Sequence, residues 1–545
     1  MERSARQGGK VVFYTPVLFV FVPILASLII YLFKNKWVSL LVFVSQAALS
    51  VLVVLFALYL QANPDQALIV FGGWDERIGI SFYNDQLSLI FIFLTIIIWW
   101  VILLYVFKEN NEDNKFLFFL TFLQGIFLGL IQTNDLFNLF VFIELTTVLV
   151  TILIAYKKSG PAFRAGIYYL LVNTVGALFF LVGIILLYNV FGTINIRYLA
   201  NVIPTHANTT IVKLAFVFMI GGISVKAALV PLFTWLPKAH GVAQSGISAL
   251  LSGLIVKGAL YAFIRMYHFM FIGAQFQVTE LFFYIGLITA LVGVMFAITQ
   301  KDMKQILAYH TVSQVGIMMM GLSSLDSFTL YGGIFHILNH AFFKSLLFLG
   351  AGVIIHKYNT KKVGEVRGVW KAMPMLSILM IIAMLSISGA PLFNGFVSKY
   401  MIKYAIKGVW HKEALFFLVN LGTTTSFIKF SQVFFGPKPN VQKCSNPLQF
   451  VGMTLLALLC IGIGLFYQPI AEGLLSLDLS KINILDVKNW LDYAIFVGLG
   501  YLLYRFVIAK DFKIVQAIRD FKMTFETANY LFIVYLLVLF GIILL

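Results

Sequence analysis

The sequence has little charge and almost no cysteine. Only 11% of its 545 residues are Asp, Glu, Lys or Arg, whereas soluble domains carry about 25%. Its two cysteines, Cys444 and Cys460, are too few for a zinc or iron–sulfur site and do not predict a structural disulfide. The chain also lacks a phosphate-binding loop and a dinucleotide fingerprint, so nothing in it indicates a hydrolase or a dehydrogenase. We therefore expect no cofactor and no metal.

Apolar residues take the place of the missing charge. The chain is 61% hydrophobic, and apolar runs of about 20 residues, each long enough to cross about 30 Å of hydrocarbon, recur from end to end. The start, "MERSARQGGKVVFYTP", has no small-residue cleavage site after it and is interpreted as the start of the first helix rather than a removed signal. The sequence thus predicts an all-α polytopic membrane protein.

Hydropathy predicts sixteen spans. They cover residues 15–33, 38–60, 86–107, 115–132, 134–156, 164–190, 211–236, 243–267, 280–298, 303–320, 327–356, 374–404, 413–435, 448–467, 490–509 and 529–545. Between the second and third spans, "ALIVFGGWDERIGISFYNDQ" predicts a short β-hairpin or interfacial loop. Before the last span, "KDFKIVQAIRDFKMTFETANY" predicts a helix along the membrane surface.

The net charge of +17 is attributed to loops around the spans. No soluble basic domain is present, so nucleic acid is not an expected partner. Loops on the side of the N-terminus hold 12 Lys and Arg residues, including Arg265, and the opposite loops hold 22, including Lys304 and the cluster at 357–371. By the positive-inside bias, the N-terminus lies outside a cell inner (cytoplasmic) membrane.

The other five basic residues fall inside predicted spans: Lys226, Lys257, Lys344, Lys399 and Lys429. A lysine at a helix centre costs about 2.5–3.5 kcal/mol on insertion scales. Lys429 is near the end of its span, from which its long side chain can extend to water. The other four lysines need partners inside the protein, or a function that accounts for the unfavourable free energy of their burial.

A repeated motif indicates two related halves. "VPLFTWLPK" begins at Val230 and "APLFNGFVSK" begins at Ala390, 160 residues later, and this offset maps spans four to eight onto spans nine to thirteen. Five spans are an odd number, so the second copy crosses the membrane with opposite topology. Inverted repeats with broken helices, here seven and twelve, are typical of transporters with sites near the midplane.

This organisation predicts five parts, arranged as N-terminal spans with the hairpin (1–110), a first five-helix repeat (111–270), an inverted second repeat (271–436), a fourteenth span (437–470) and a C-terminal extension with the surface helix and two spans (471–545).

Glu144 and Lys226 are a candidate switch. Glu144 lies nine residues past Asp135, a plausible helix start, which places it about 14 Å deep. One interpretation is a neutral Glu that hydrogen-bonds a neighbouring helix; the other is an ion pair with Lys226. At an effective dielectric near 20, unit charges attract by about 4 kcal/mol at 4 Å and about 2 at 8 Å, so separation favours proton release. Pro231 frees backbone groups that can hold internal water.

His336, His340 and Lys344 lie at i, i+4 and i+8 and therefore share one helix face. This alignment favours a proton relay; a metal site is disfavoured because a cation is adjacent and no carboxylate ligand is evident. Lys257 follows small and hydroxylated residues that admit water. Lys399 lies eight residues past Pro391 and is a candidate terminal site, with His310 a weaker candidate for the relay.

Several motifs resemble the large antiporter-like subunits shared by Mrp-type Na⁺/H⁺ antiporters, respiratory complex I and membrane-bound hydrogenases. They lie within residues 60–470 and read "TNDLFNLFVFIEL", "VKAALVPLFTWLPKAH", "SALLSGLIVKGALY", "YHTVSQVGIMMMGL", "FHILNHAFFKSLLFLGAG" and "GAPLFNGFVSKY". The motif "DLFNLFVFIE", which ends at Glu144, is most similar to the D subunit of Mrp-type complexes or its hydrogenase counterparts. The resemblance implies a 14-helix core, other membrane subunits as partners, and protons with Na⁺ or another monovalent cation as the transported ions.

The resemblance also implies site residues. The family's Glu of span five pairs with the Lys of broken span seven, and residues of spans eight and eleven link to a Lys or Glu of broken span twelve. On this sequence, that set is Glu144, Lys226, Lys257, His336, His340, Lys344 and Lys399. Two spans beyond fourteen depart from the D-subunit plan, and the long extra domain of the Mrp A subunit is missing.

Four functions remain open from the sequence. The favoured one is a proton-translocating subunit of a cation/proton antiporter complex. The second is a proton-pumping subunit of complex I, an NADH:quinone oxidoreductase, or of a membrane-bound hydrogenase, in which partners hold the redox cofactors. The third is a membrane subunit of an inorganic-carbon uptake complex. The fourth is a structural scaffold, for which Lys226→Ala would change nothing.

Overall fold

The computed structural model describes residues 14–33, 37–63, 67–110, 113–437, 446–475, 477–480 and 482–544. The basic N-terminal residues 1–13, Cys444 and Lys481, on which parts of the sequence interpretation rest, lie outside the described residues. The described part is almost entirely helical, as the apolar runs predict.

The first helices are α1 (Thr15–Leu32), α2 (Leu41–Ala62), α3 (Gln86–Asn110), α4 (Asn114–Gln132), α5 (Leu136–Ala155), α6 (Gly160–Phe191), α7 (Ile196–Val202), α8 (Thr210–Lys226), α9 (Trp235–Val242), α10 (Ser245–Leu250), α11 (Val256–Ile264) and α12 (Thr279–Thr299). The later helices are α13 (Met303–Leu322), α14 (Ser327–Tyr358), α15 (Val369–Ala372), α16 (Pro374–Ser388), α17 (Asn394–Tyr404), α18 (Trp410–Ser431), α19 (Pro447–Leu465), α20 (Tyr467–Leu475), α21 (Val487–Leu503), α22 (Lys513–Asp520) and α23 (Phe525–Leu544). Wider π-helical turns cover Leu251–Ile255, Arg265–Met270 and Tyr504–Ile508, and 3₁₀ turns cover Val38–Leu40, Ile203–His206, Ile272–Ala274 and Val363–Glu365.

Within the described residues, thirteen helical segments are long and apolar enough to cross a membrane. The other three predicted spans are also helical but differ from a plain span. α13 carries polar residues such as His310 and Gln314 along its length, and the pairs α8/α9 and α16/α17 are each interrupted. The sixteen predicted spans are therefore confirmed as helical segments, and the breaks fall in the seventh and twelfth.

The two breaks lie at the prolines that the sequence singled out. α8 ends at Lys226 and α9 begins at Trp235, with Pro231 in the turns between them. α16 ends at Ser388, and Gly389 adopts a left-handed φ of 80° that closes the helix. Glycine is favoured there because it has no Cβ to clash. Each break leaves backbone carbonyls without an intrahelical partner.

The internal repeat is visible in the helix lengths. α5 and α13 are both 20 residues long, and α6 and α14 are both 32, and each pair starts 167 residues apart, at 136 and 303 and at 160 and 327. The capping residues Asp135 and Asp302 show the same separation, and each forms an isolated β-bridge, to Asn195 and Lys362 respectively. The offset falls from 167 to 160 at the proline motif because the second half is shorter up to this point. The connection before its broken helix, the first half of that helix (15 residues compared with 17) and the break (389–393 compared with 227–234) are all shorter.

The chain divides into two compact units. Unit 1 comprises Met1–Lys226, Gly258–Gln277 and Phe532–Leu545. In its described part, α1 packs on α4, α4 on α5, α5 on α6 and α6 on α8. The α6–α8 contact is close because Gly176 lies against Gly222, where a Cβ on Gly176 would stand 3.0 Å from the Gly222 carbonyl oxygen. Small residues allow helix backbones in membranes to approach in this way.

Unit 2 comprises Ala227–Lys257 and Val278–Leu531. Its centre is α14, whose apolar stretch is buried over its whole length and which packs against α10, α13, α16, α17 and α19. Polar side chains on any face of α14 therefore meet another helix rather than lipid. This position explains why a 32-residue helix with two internal histidines and a lysine is tolerated.

Two further predictions concern the hairpin and the segment before the last span. The predicted hairpin is confirmed, with strands β1 (Leu68–Val70) and β2 (Ser81–Tyr83) antiparallel and Leu68 opposite Tyr83. The mixed-charge segment before the last span contains only the eight-residue helix α22. The last helix begins at Phe525, earlier than the predicted 529, because "FETAN" continues its helical turn.

Candidate functional site

The site residues predicted in the first half meet in unit 1, where the side chain of Lys226 reaches α5. Lys226 is 6% exposed, and its Nζ donates to the Ile143 carbonyl at 3.2 Å and to the Thr147 hydroxyl. These two acceptors lie one residue before and three residues after Glu144. As the last residue of α8, Lys226 is free to bend away from its own helix toward α5. The position of the break thus determines where the ammonium group goes.

Glu144 is not in direct contact with Lys226. Its Oε2 accepts from the Thr174 hydroxyl of α6 at 3.3 Å, and its Oε1 has no hydrogen-bond partner among the described residues. Lys226 is close enough for its charge to act on the carboxyl group. The predicted contact ion pair is therefore corrected to a near pair, because Thr147 and Thr174 hold the two groups on different neighbours. A half-buried carboxyl with one free oxygen can move or bind water.

In unit 2, Lys257 and His340 form a buried pair. The Lys257 Nζ lies 2.7 Å from the His340 Nδ1 and also donates to the Ser252 carbonyl. That carbonyl is available because Leu251–Ile255 forms a π-helical turn, a distortion that is frequent at functional sites. When Lys257 is charged, its ammonium group only donates, so Nδ1 accepts and the ring proton lies on Nε2. The Nε2 atom has no protein partner in the described chain.

His336 connects three helices one turn earlier on α14. Its Nδ1 lies 2.9 Å from the Ser398 hydroxyl of α17, and its Nε2 lies 3.1 Å from the Gln314 Oε1 of α13. The ring centroids of His336 and His340 are 6.5 Å apart. Proton transfer between the rings therefore requires a bridging water molecule or a ring rotation. Ser398 directly precedes Lys399, so this connection ends beside the predicted terminal site.

Lys344 is the least satisfied of the predicted residues. It is fully buried, and its Nζ has no hydrogen-bond partner among the described residues. Its Nζ lies 5.6 Å from the centroid of the Phe348 ring. An ammonium group in this position lacks the acceptors that a charged form needs. Lys344 is therefore held as a neutral amine or contacts internal water.

Lys399 lies against the second break and borders a cavity. Its Nζ donates to the Ile387 carbonyl at 2.7 Å and to the Asn420 Oδ1 at 3.1 Å. The break exposes the Ile387 carbonyl, because α16 ends one residue later. A cavity of about 650 Å³ adjoins Lys399 and is also lined by Glu413 and Asp492. The predicted terminal site is thus next to space that can hold water or ions.

Two buried histidines belong to the same environment. His310, the weaker candidate, stacks on Phe427 with ring centroids 4.8 Å apart. His240, which the sequence analysis did not select, stacks on Phe348 at 4.5 Å. In the described chain neither ring nitrogen of either histidine has a hydrogen-bond partner. Only the fold shows that His240 is buried near Lys344; in the sequence it is one polar residue at the end of a broken span.

Three basic residues lie in environments that differ from those predicted from the sequence. Lys429 does not extend to water but donates to the carbonyls of Ala297, Ile298 and Gln300 at the end of α12, at 3.4, 2.5 and 2.6 Å. Lys304 is buried in the first turn of α13 and donates to a carbonyl of the α9–α10 connection at 2.7 Å.

Arg265 is also buried rather than in a loop. It binds the Asp85 carboxylate with two hydrogen bonds of 2.6 and 2.5 Å in unit 1. A paired or carbonyl-bound cation of this kind has its charge compensated by fixed partners and needs no transport role. Within the described residues no group of three or more His, Cys, Asp and Glu side chains is arranged to hold a metal ion.

Comparison with known proteins agrees with this architecture. Residues 133–429 match the family described as "NADH:quinone oxidoreductase/Mrp antiporter, TM". The chain is 31% identical over 391 residues to the putative antiporter subunit mnhD2 of Staphylococcus aureus strain JH9, covering 71% of this chain and 78% of that protein. With the same subunit of strain Mu3, the identity is 29% over 481 residues, or 86% and 96% of the two chains.

Two solved structures share the fold. A chain of the membrane-bound sulfane sulfur reductase, an archaeal respiratory membrane complex, superposes with a TM-score of 0.78 at 26% identity, covering 89% of this chain and 99% of that one. A chain of the Mrp complex from Dietzia sp. DQ12-45-1b superposes with a TM-score of 0.76 at 22% identity, covering 94% and 100%. The 14-helix antiporter-like core with inverted repeats is thereby confirmed. The chain belongs to the NADH:quinone oxidoreductase/Mrp antiporter transmembrane family and is an antiporter-like subunit of the membrane.

Proposed function

We propose that this subunit moves protons in exchange for Na⁺ or another monovalent cation, within a complex that contains other membrane subunits. The proton sites in unit 1 are Glu144 and Lys226. Those in unit 2 are Lys257, His336, His340, Lys344 and Lys399. The similarity to antiporter subunits supports the ion exchange, and the arrangement of buried ionisable groups supports the choice of residues.

One observation carries the proposal: the three lysines and two histidines proposed as proton sites in unit 2 are buried without a carboxylate partner among the described residues. Each lysine costs about 2.5–3.5 kcal/mol at a helix centre. A structural lysine would be fully capped, as Lys429 is by three carbonyls. Within the described part of the chain, Lys344 instead has no acceptor and the His340 Nε2 has no hydrogen-bond partner. Buried polar groups without a protein partner need bound water. A row of titratable groups that water molecules connect can pass protons.

In unit 1, the distance between Glu144 and Lys226 controls proton release. Lys226 is held by the backbone and a hydroxyl of α5, whereas the Glu144 carboxyl has one hydrogen-bond partner, Thr174, among the described residues. The carboxyl is therefore the group that can move. Approach of Glu144 strengthens the attraction to the ammonium group, and retreat weakens it by about 2 kcal/mol between 4 and 8 Å. This change is comparable with the roughly 2.3 kcal/mol per charge that 100 mV provides.

The experiment measures pH-jump transport in vesicles that contain the whole complex. Lys226→Ala and Glu144→Gln are each expected to lower proton-coupled cation flux at least about tenfold, because each removes a charge from the switch. Lys213→Ala is the matched control, because Lys213 lies at the other end of the same helix and is not buried. Wild-type flux in both variants, with the complex assembled, would contradict the proposed function.

The orientation belongs to the same proposal. We place the N-terminus outside a cytoplasmic membrane and the basic cluster at 357–371 in the cytoplasm, because the loops on that side hold 22 of the Lys and Arg residues. Protease added to sealed, right-side-out cells should then leave this cluster uncut.

A redox-driven pump is the second candidate. The similarity to a chain of a sulfane sulfur reductase complex favours it, since that complex is respiratory. The proton sites proposed above are the same in both cases, and the energy source differs. Flux that depends on an added electron donor, and not on a cation gradient, would favour this alternative.

A further inference from the structure

The two spans beyond the fourteen-helix plan make the same contact with the two broken helices. In unit 1, the Tyr535 hydroxyl of α23 lies 2.9 Å from the Ser224 hydroxyl of α8. In unit 2, the Tyr493 hydroxyl of α21 lies 2.9 Å from the Ser388 hydroxyl at the end of α16. Each extra span thus places one tyrosine hydroxyl on one serine of a half-helix that ends at a break.

The direction of both hydrogen bonds follows from the serines. The Ser224 hydroxyl donates to the Ile220 carbonyl at 2.8 Å, and the Ser388 hydroxyl donates to the Leu385 carbonyl at 3.0 Å. A serine has a single hydroxyl proton, so each serine oxygen is left as an acceptor. The tyrosines therefore donate, and phenylalanine at these positions would remove the bond while keeping the ring.

Both serines are next to a proposed proton site. Ser224 lies two residues before Lys226 on the same final turn of α8. Ser388 directly follows Ile387, whose carbonyl accepts from Lys399 at 2.7 Å. A shift of either helix end would move the lysine or its acceptor. The hydrogen bonds from the tyrosines thus act on the two places where the helices are weakest.

Packing around the tyrosines agrees with a specific contact. Gly221 of α8 leaves space that Leu536 and Phe532 of α23 occupy, so a Cβ at this glycine would meet the Leu536 side chain. On the other helix, Tyr493 and Asp492 of α21 line the cavity of about 650 Å³ beside Lys399. Much of α21 is otherwise exposed, so its contact with the break is a small and local one.

We propose that Tyr493 and Tyr535 are positioning residues that hold the ends of the two broken helices, and through them Lys399 and Lys226, in the arrangement required for proton transfer. The two spans of the C-terminal extension then each hold one of the two helix breaks in position. This inference rests on the proposed function of the two lysines.

The test compares full-length complexes in vesicles with tyrosine hydroxyls removed one at a time. Tyr493→Phe and Tyr535→Phe are each expected to lower exchange about twofold to tenfold, the effect of one lost hydrogen bond. Each should also shift the pH of half-maximal exchange by several tenths of a unit, which a general loss of folded protein does not do. Tyr501→Phe and Tyr530→Phe are matched controls on the same two helices, at 54% and 71% exposure, and should match wild type.

A second comparison separates the hydrogen bond from other effects of the ring. Ser388→Ala should reproduce Tyr493→Phe, and the double variant should be no worse than either single one. Lys399→Ala is measured alongside. If Lys399→Ala abolishes exchange while both tyrosine variants behave as the controls, the positioning role is wrong and the proposed function stands. If Lys399→Ala leaves exchange intact, the proposed function itself fails.

Discussion

Buried lysines in this protein differ most in what their ammonium groups contact. Lys429 donates to three carbonyls at the end of α12, where the helix dipole also favours a positive charge. Lys344 contacts no acceptor within the described residues, and the Lys257 Nζ lies 2.7 Å from the His340 Nδ1. The difference separates a structural lysine from lysines that can change charge. Burial alone does not make this distinction, since all three are buried.

The Lys257–His340 pair leads to a prediction about a single side chain. We expect His340→Ala to lower proton flux roughly 10²-fold, a magnitude typical of a lost acid–base group. Among the described residues, the ring is the one side chain within hydrogen-bond distance of the Lys257 Nζ. The measurement is vesicle transport with equal amounts of assembled complex.

His356→Ala is the control for that measurement. His356 lies on the same helix, α14, in its last turn and is exposed. Both substitutions remove one imidazole from one helix, so a difference between them reports on position. Equal flux in the two variants would remove His340 from the relay.

At the scale of elements, the two broken helices place their lysines differently. Lys226 ends the half-helix before its break, whereas Lys399 lies within the half-helix after its break. The Pro391–Lys399 stretch therefore does not repeat the arrangement of Lys226 and Pro231. Lys399 binds the carbonyl end of its own interrupted helix, and Lys226 binds a neighbouring helix. The two halves share a fold without sharing the contacts of their lysines.

The short helix α22 gives a prediction that depends on pH. Asp511 precedes it and accepts hydrogen bonds from Arg519 at 2.6 Å and from Lys301 at 2.8 Å. These bonds lower the pKa of Asp511 to about 2, below the value of about 3.9 in an unfolded chain. The carboxylate therefore stabilises this segment above about pH 4, and the contribution is lost as the pH falls through 2.

Pepsin cleavage of the membrane-embedded protein measures this effect. The cut rate at residues 510–524, relative to that of an unfolded peptide of the same sequence, should rise between pH 4 and 2. Asp511→Asn should be cut at the faster rate throughout this range. A relative rate that stays constant with pH in the wild type would show that the ion pairs do not hold the segment.

At the scale of the whole molecule, we propose that the chain is one subunit among several. Related chains come from an Mrp complex and from a respiratory membrane complex. We expect the tagged protein, purified in mild detergent, to bring other membrane subunits with it and to show no flavin or iron–sulfur absorption. Mass spectrometry and an absorption spectrum provide the measurement. Redox subunits in the preparation would favour the redox-driven pump instead.

Composition and hydropathy by themselves determined the fold class, because about twenty apolar residues in water have no alternative to a membrane or a core. The sixteen helical segments were predictable for this reason. The hairpin was predictable from its strand and turn pattern, and both breaks were predictable from the repeated proline motif. The seven proposed proton sites were also selected from sequence, since a lysine or a glutamate in an apolar span stands out by its cost. Their roles stay predictions, and so does the division into five parts.

Tertiary structure decided which polar groups meet. Lys226 contacts Thr147 across 79 residues of chain, and Tyr535 contacts Ser224 across 311. Hydropathy registers how polar a residue is but not the direction of its side chain, so His240 was missed and Lys304 was assigned to a loop. Partners on other helices are set by packing, which depends on small residues such as Gly176, Gly221 and Gly222. The sequence thus identified the ionisable groups, and the packing of helices determined what each of them can exchange a proton with.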